Sequence, residues 1–379
     1  MDKVRLGDVA TYINGYAFKP EDWGEVGKPI IRIQDLTGSS YQTNRFDGDV
    51  PSKYIVVAGD VLISWSASLG VYVWSGEDAV LNQHIFKVVF DKVNVDKSFF
   101  IHQVGGILDK AASDTHGATM KHLTKPVFDN LPFYLPEIHE QRNISRLLDK
   151  TASLITERRQ QLTALDTLIK ARFVEMFGNP VLNDKGWKTN TVKEITTKIG
   201  SGATPKGGKE SYREEGISLI RSMNVHNGYF EYRELAHISD EQADKLSSVI
   251  IEEEDVLLNI TGASVARSCV VPDDVLPARV NQHVCIIRCK HDIVPQFMNC
   301  ILTDENYQKL LWETAGSGAT REAITKQQVE GLKIIMPPMD LQEQFAAFVT
   351  QIDKSKAVVQ KGLDEAQMLF DSLMQQYFG

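Results

Sequence analysis

No stretch of this chain approaches the roughly 18 uncharged apolar residues that a bilayer-spanning helix needs. Its first residues, MDKVRLGDVATYING, hold no apolar run of signal-peptide length. The reading is a cytoplasmic chain without a membrane partner. Cysteine is scarce: four residues in 379, at 269, 285, 289 and 300, are too few and too clustered to staple a fold. Cys285 and Cys289 have no second Cys or His pair at finger-like spacing, so buried thiols are the expectation and a metal site is not. Positive charge is in deficit, 41 Lys and Arg against 50 Asp and Glu for a formal charge of −9, whereas a domain that holds nucleic acid by its bulk field is usually basic. A phosphate-binding loop is missing too. GATPKGGKE, from Gly202, carries Gly208 where such a loop needs lysine, and it ends in Glu210.

What is present is a repeat. Asn82, Gln83 and His84 recur as Asn281, Gln282 and His283, GATMKHLTK from Gly117 returns as GATREAITK from Gly318, and FGNP at Phe177 and Gly178 is echoed by Phe378 and Gly379. The offsets are 199, 201 and 201. Earlier in each half the alignment slips, to 189 at Arg32 and Arg221 and 195 at Asp60 and Asp255, which places insertions in the first third of the second copy. Insertions are tolerated in surface loops. Each copy opens with short β-branched runs (IIRI, YIVVAG, VLISW, VYVW and IFKVVF in the first) separated by turn residues. A shorter helical piece follows, near 99–112 and 295–313, and then a glycine-rich loop and a last strand at LPFYLP or LKIIMPP, where proline marks a boundary.

Beyond each proline the period changes to seven. Leu148, Ile155, Leu162, Ile169 and Met176 form one series, flanked by Ile144 and Leu165; Phe345, Ile352, Val359, Ala366 and Leu373 form the other, joined by Val349, Leu363, Phe370 and Tyr377. Gly178 and Gly379 suit the left-handed cap that ends such helices. Roughly 38 residues at 1.5 Å each make about 57 Å, longer than a small domain is wide. The apolar seam of each helix needs cover, and the other helix offers it. The expected fold class is α+β: two similar globular α/β domains with curled mixed sheets, separated by two long helices in an antiparallel coiled coil, with a pseudo-two-fold internal repeat. The boundaries are 1–136, 137–178, 179–337 and 338–379.

This order resembles the specificity subunit of type I restriction-modification systems. The segments LPEIHEQRNISRLLDK (135–150) and MPPMDLQEQFAAFVTQIDK (336–354), with the paired NQH and GAT loops, carry the resemblance over essentially the whole chain. It implies a non-catalytic subunit whose two target-recognition domains each read half of a split, asymmetric site on double-stranded DNA. It also implies two modification (methyltransferase) subunits and restriction (endonuclease/translocase) subunits as partners, with S-adenosylmethionine, ATP and Mg on those partners and no cofactor in this chain. The chain itself lacks the Asp/Asn-Pro-Pro-aromatic loop of an adenine methyltransferase; Met336-Pro337-Pro338-Met339 has neither the polar nor the aromatic member. A gap of roughly six to eight unread base pairs between half-sites follows from one helical turn less the bases read. The reading from a different class is a pseudo-symmetric protein-interaction scaffold that uses its helical rod and binds no DNA.

Residues identical in both halves cannot supply a difference in what the halves read. Arg32, Arg221, the NQH triplets, the GAT loops, Lys125 and Lys326 therefore belong to the frame or to phosphate positioning. For the arginines, an ion pair inside the fold and a phosphate contact stand side by side; for NQH, a strand-end cluster satisfying backbone groups is favoured. The backbone candidates are Arg32, Lys121, Lys206, Lys209, Arg221 and Arg321. Base discrimination falls to polar and aromatic residues that differ between copies: Gln34, Tyr41, Gln42, Asn44, Arg45 and Trp65 in the first, Asn224, His226, Asn227, Tyr229, Thr261 and Arg267 in the second. Arginine addresses guanine through two acceptors, and Asn or Gln addresses adenine through a matched donor and acceptor.

Overall fold

A computed structural model describes residues 3–40, 42–66, 68–113, 124–204, 208–316 and 322–379, without the side chains of Lys209 and Ser211. The chain divides into two compact units, Met1–Arg159 with Lys361–Gly379, and Gln160–Gln360.

The first unit folds its β-branched runs into two four-stranded sheets. One is antiparallel, in the order Thr11–Asn14, Ile85–Val89, Val61–Ser64, Gly70–Val73. The other runs Arg45–Phe46, Lys28–Ile31, Ala79–Leu81, Ile55–Val56, and its central pair is parallel. The strand Val61–Ser64 is buried throughout, which is why VLIS reads as continuously apolar and does not alternate. Helix Lys97–Ser113 follows, and Lys3–Arg5 pairs with Pro132–Tyr134.

The second unit repeats the plan. Thr196–Ser201, Val284–Cys289, Val256–Asn259 and Ser268–Val270 form the antiparallel sheet, and Ala236–Ile238, Ile217–Ile220 and Ala278–Val280 form the mixed one. An isolated bridge between Ile250 and Arg279 stands where the first unit has a fourth strand. The larger sheets of each copy are thus two, both built of short strands, beside two-stranded pairings. The single helix expected near 295–313 is also two, Pro295–Thr303 and Glu305–Gly316. Asp304 breaks it in an extended conformation and caps the second piece, accepting from the N–H groups of Asn306 (2.9 Å) and Tyr307 (3.2 Å).

The heptads form two helices of 40 residues, Ile138–Phe177 and Met339–Phe378, each about 60 Å long. Each begins from a proline-rich turn held by one buried glutamine. Gln141 Nε2 donates to Pro136 O (2.8 Å) while its Oε1 accepts from Asp96 N (2.8 Å). Gln342 does the same with Pro337 O (2.9 Å) and Val294 N (3.0 Å). The first helix ends at Gly178, whose φ of 76° only glycine adopts freely.

Each helix places one half in each unit. In the first unit Ile144 and Leu148 join the core, against which Phe370, Leu373, Met374, Tyr377 and Phe378 pack. In the second, Phe173 and Phe177 surround Phe345 at 5.6 and 5.5 Å between ring centres, and Ile169 and Met176 pack on the same core. Within this unit the helices run antiparallel: moving from Asp166 to Phe173, the partner falls from Lys356 (2.6 Å) to Phe345. Burying each of these rings is worth roughly 2–3 kcal/mol. The seam residues Leu148, Ile155, Phe345 and Ile352 are buried. Leu162, Val359 and Leu363 are half-buried and belong to none of the four cores. Among the described residues no helix is long and apolar enough to cross a membrane.

Candidate nucleic-acid interface

Features common to both units come first, since they form the frame. Arg32 and Arg221 each follow the last residue of a buried strand, and each backbone N–H is capped by the side chain three residues on, Asp35 (2.8 Å) and Asn224 (3.1 Å). Both guanidinium groups point into the polypeptide. Arg32 donates to Asp35 (3.3 Å), Ser40 Oγ (3.1 Å) and Gln42 O (2.6 Å), and lies 5.7 Å from the Trp23 ring centre. Arg221 donates to Glu234 O and lies 5.2 Å from the Tyr212 ring centre. Of the two roles that stand side by side for these arginines, these bonds favour the one inside the fold, although Arg221 Nε is buried without a hydrogen-bond partner among the described residues.

The NQH triplets occupy equivalent turns between strands. The asparagine Oδ1 accepts from the histidine N–H in each, at 3.4 Å for Asn82 and 3.0 Å for Asn281, while Gln83 and His84 are exposed. The chain passes these turns so closely that a Cβ on Gly15 would lie 2.2 Å from Asn82 O, and one on Gly202 1.8 Å from Val280 O. Glycine is required there by contact alone. In the second unit the cluster is extended: Gln282 Oε1 accepts from Thr204 N (3.0 Å) and Oγ1 (2.8 Å), and Thr261 Oγ1 meets His283 Nδ1.

The base-reading candidates separate by what they already touch. In the first unit Gln34 and Gln42 are exposed and Asn44 is half-buried. Arg45 is committed to Gly27 O (2.7 Å) and Glu77 (2.6 Å), and the Trp65 ring lies stacked on Phe86, 5.8 Å between centres and 27° between planes. In the second unit Asn224 is fully buried, with its Oδ1 on Arg221 N and its Nδ2 on Glu231 O (2.9 Å). Both polar atoms of the Asn224 side chain are thus taken up within the fold. Thr261 is turned to His283, and Asn227 joins Ser268 N (3.2 Å) to Gln308 (3.3 Å). Tyr229 is exposed and His226 and Arg267 are half-buried, with His226 stacked on Tyr229 at 4.8 Å and 15°. Tyr41, Lys121, Lys206, Arg321, the Lys209 side chain and both GAT loops from Gly117 and Gly318 lie outside the described residues.

One surface residue escaped the sequence reading. Trp312 is 54% exposed on the helix Glu305–Gly316, its Nε1 donating to Val265 O (3.3 Å). Its signal was its place directly after Leu311, off the buried stripe of Tyr307, Leu311 and Ala315. Burial pushes all four thiols, Cys269, Cys285, Cys289 and Cys300, up to about 12, leaving them protonated at neutral pH. Among the described residues no three His, Cys, Asp or Glu side chains come together as metal ligands.

One framework built twice, closed by halves of two long helices and dressed with unlike loops, defines a recognition protein with two modules. The family model described as type I restriction modification DNA specificity domain matches residues 1–164 and again 184–366, and the chain belongs to that family. It is a specificity subunit, the non-catalytic member of a type I restriction-modification system, concerned with recognition of a DNA target. Relatives include the type I restriction enzyme EcoBI specificity subunit of Escherichia coli, 24% identical over 98% of this chain and 83% of its own length. Another is the MjaVIII specificity subunit of Methanocaldococcus jannaschii, 20% identical over 98% and 90%. Among solved structures, the S subunit of a type I system from M. genitalium shares the fold with a TM-score of 0.63 at 14% identity, over 100% of this chain and 96% of that one.

Proposed function

We propose that each unit reads one half of a bipartite, asymmetric DNA site, and that the paired helices of 137–178 and 338–379 set the separation of the halves. The two modification subunits dock on this chain and methylate, restriction subunits join them, and S-adenosylmethionine, ATP and Mg are held by those partners. The observation that carries this reading is the second copy of the same frame with different surface loops: one sheet plan and one NQH turn, but a His226–Tyr229 stack on one side and Gln34 and Gln42 on the other.

Charge shapes the mechanism. Residues 1–136 carry 13 basic and 16 acidic side chains, and 179–337 carry 18 and 22. Phosphate neutralisation supplies most non-specific affinity, so the chain alone holds DNA weakly and the assembled complex clamps it. Methylation mapping of the complex on random DNA tests the whole reading, with two half-sites separated by roughly six to eight unread base pairs as the expected result. Inserting one heptad within 157–170, matched in the second helix, lengthens the gap by about three base pairs, since seven helical residues rise about 10 Å. An unchanged gap overturns the ruler.

A further inference from the structure

From Arg221 to Asp255 the second unit takes 34 steps where the first, from Arg32 to Asp60, takes 28. Part of this longer segment forms a hairpin of Val225–His226 and Tyr229–Phe230. It is anchored from below at every turn. Val225 and Phe230 are buried, Asn259 Nδ2 donates to Ser222 O (2.8 Å), Gly228 N donates to Ser268 O (2.9 Å), and Asn227 reaches Gln308. Gln308 Nε2 in turn donates to Ala266 O (2.7 Å), and Trp312, one helical turn further on, donates to Val265 O. The hairpin tip, residues 265–268 and the helix face of Gln308 and Trp312 thus form one rigid surface.

Two aromatic rings stand out from it, Tyr229 at 53% and Trp312 at 54% exposure. Tyr229 is backed by the parallel His226 ring, whose Nε2 faces the Met223 carbonyl at 3.2 Å and so carries the proton. Exposed rings over a fully bonded turn offer flat apolar area and no charge, which suits a base and not a phosphate. Two cations lie on the same segments: Arg267, half-buried, within the tied segment 265–268, and Lys309, exposed, three residues before Trp312 on its helix. Among the described residues the first unit shows no counterpart. Its helix Lys97–Ser113 has no tryptophan, and the offset of 201 puts Ala111 in the place of Trp312.

We propose that Tyr229, seated on His226, and Trp312 form the base-contacting edge of the second unit, pressing their rings against bases at a deformable step of its half-site while Arg267 and Lys309 meet the flanking phosphates. This rests on the DNA-reading function above and names the residues that make one half-site unlike the other.

The test uses the full chain assembled with its modification subunits and S-adenosylmethionine on a library of altered sites. Tyr229→Ala and Trp312→Ala relax discrimination in the second half-site by about tenfold and leave the first half-site as strict as before. The salt dependence of binding stays the same in these variants and falls by about one ion in Arg267→Ala. Tyr229→Phe, which keeps the ring, retains discrimination and controls for folding. Aromatic variants that reject the same altered sites as the parent overturn the edge. A parent complex that methylates no defined site overturns the DNA-reading function itself, and the edge with it.

Discussion

In the first unit Asp60 closes a turn by accepting from Val57 N (2.9 Å) and pairs with Lys87 (2.7 Å), which also donates to Ile55 O. In the second, Asp255 accepts from Glu252 N (2.8 Å) and pairs with Arg288 through both carboxylate oxygens (2.8 Å each), and Arg288 donates to Ile250 O. The turn, the acid and the target carbonyl correspond, but the cation does not. Lys87 stands opposite Leu62, in the place held by Ile286 opposite Leu257, whereas Arg288 lies two residues further along its strand. The copies retain a role and not a residue. The forked guanidinium of Arg288 meets both oxygens of its acid at once, through Nε and Nη2, where the Lys87 ammonium meets one. This is why the repeat is visible in the sequence only at a few landmarks.

The largest effect expected from probing that difference is at the acid. Asp255 is fully buried whereas Asp60 and Lys87 keep 20% and 17% of their side-chain exposure. Asp255→Ala removes a fully buried carboxylate that holds the Glu252 N–H and two arms of Arg288, and costs about 3 kcal/mol in urea unfolding of the full chain, although the guanidinium keeps Glu252 and the Ile250 carbonyl as partners. Asp60→Ala removes an acid that water already reaches and costs about 1–2 kcal/mol. Equal losses would show that burial does not distinguish the pairs. Next in size, Gln141→Ala and Gln342→Ala each leave a buried N–H and carbonyl unmet, and each costs about 2 kcal/mol by the same measurement. Here the copies should agree, and a difference above roughly 1 kcal/mol would mean the two helix starts are not equivalent. The smallest stability effect is at the shared arginines. Arg32→Ala loses a carboxylate contact and about 1.5 kcal/mol; Arg221→Ala, which loses a carbonyl contact in its place, about 1 kcal/mol. Neither change alters the salt dependence of DNA binding, and a lower slope for either would favour the phosphate role.

The long helices, the repeat and the strand runs were legible because each depends on a local period. The direction of single polar side chains was not. Asn224 and Asp35 occupy the same place in the repeat, and both cap a backbone N–H, but only the acid announces a partner for the neighbouring arginine. Arg45 reads as a base-contacting candidate because it is a polar residue at a turn that differs between the copies; the acid that engages it, Glu77, comes from 32 residues away. Trp312 was passed over for the opposite reason, since an aromatic residue within an amphipathic helix reads as core until its phase is checked against Tyr307 and Leu311.

Because each long helix lends one half to each unit, the two units differ in how their chain is gathered. Gln160–Gln360 is a single unbroken segment, but the other unit joins Met1–Arg159 to Lys361–Gly379. Phe370, Leu373 and Phe378 complete a core begun by Leu6 and Val9 more than 360 residues earlier. On a ribosome, where domains fold as their residues emerge, the later-made unit is ready first. Residues 1–159 wait, with part of their apolar face uncovered, for residues 361–379 to arrive.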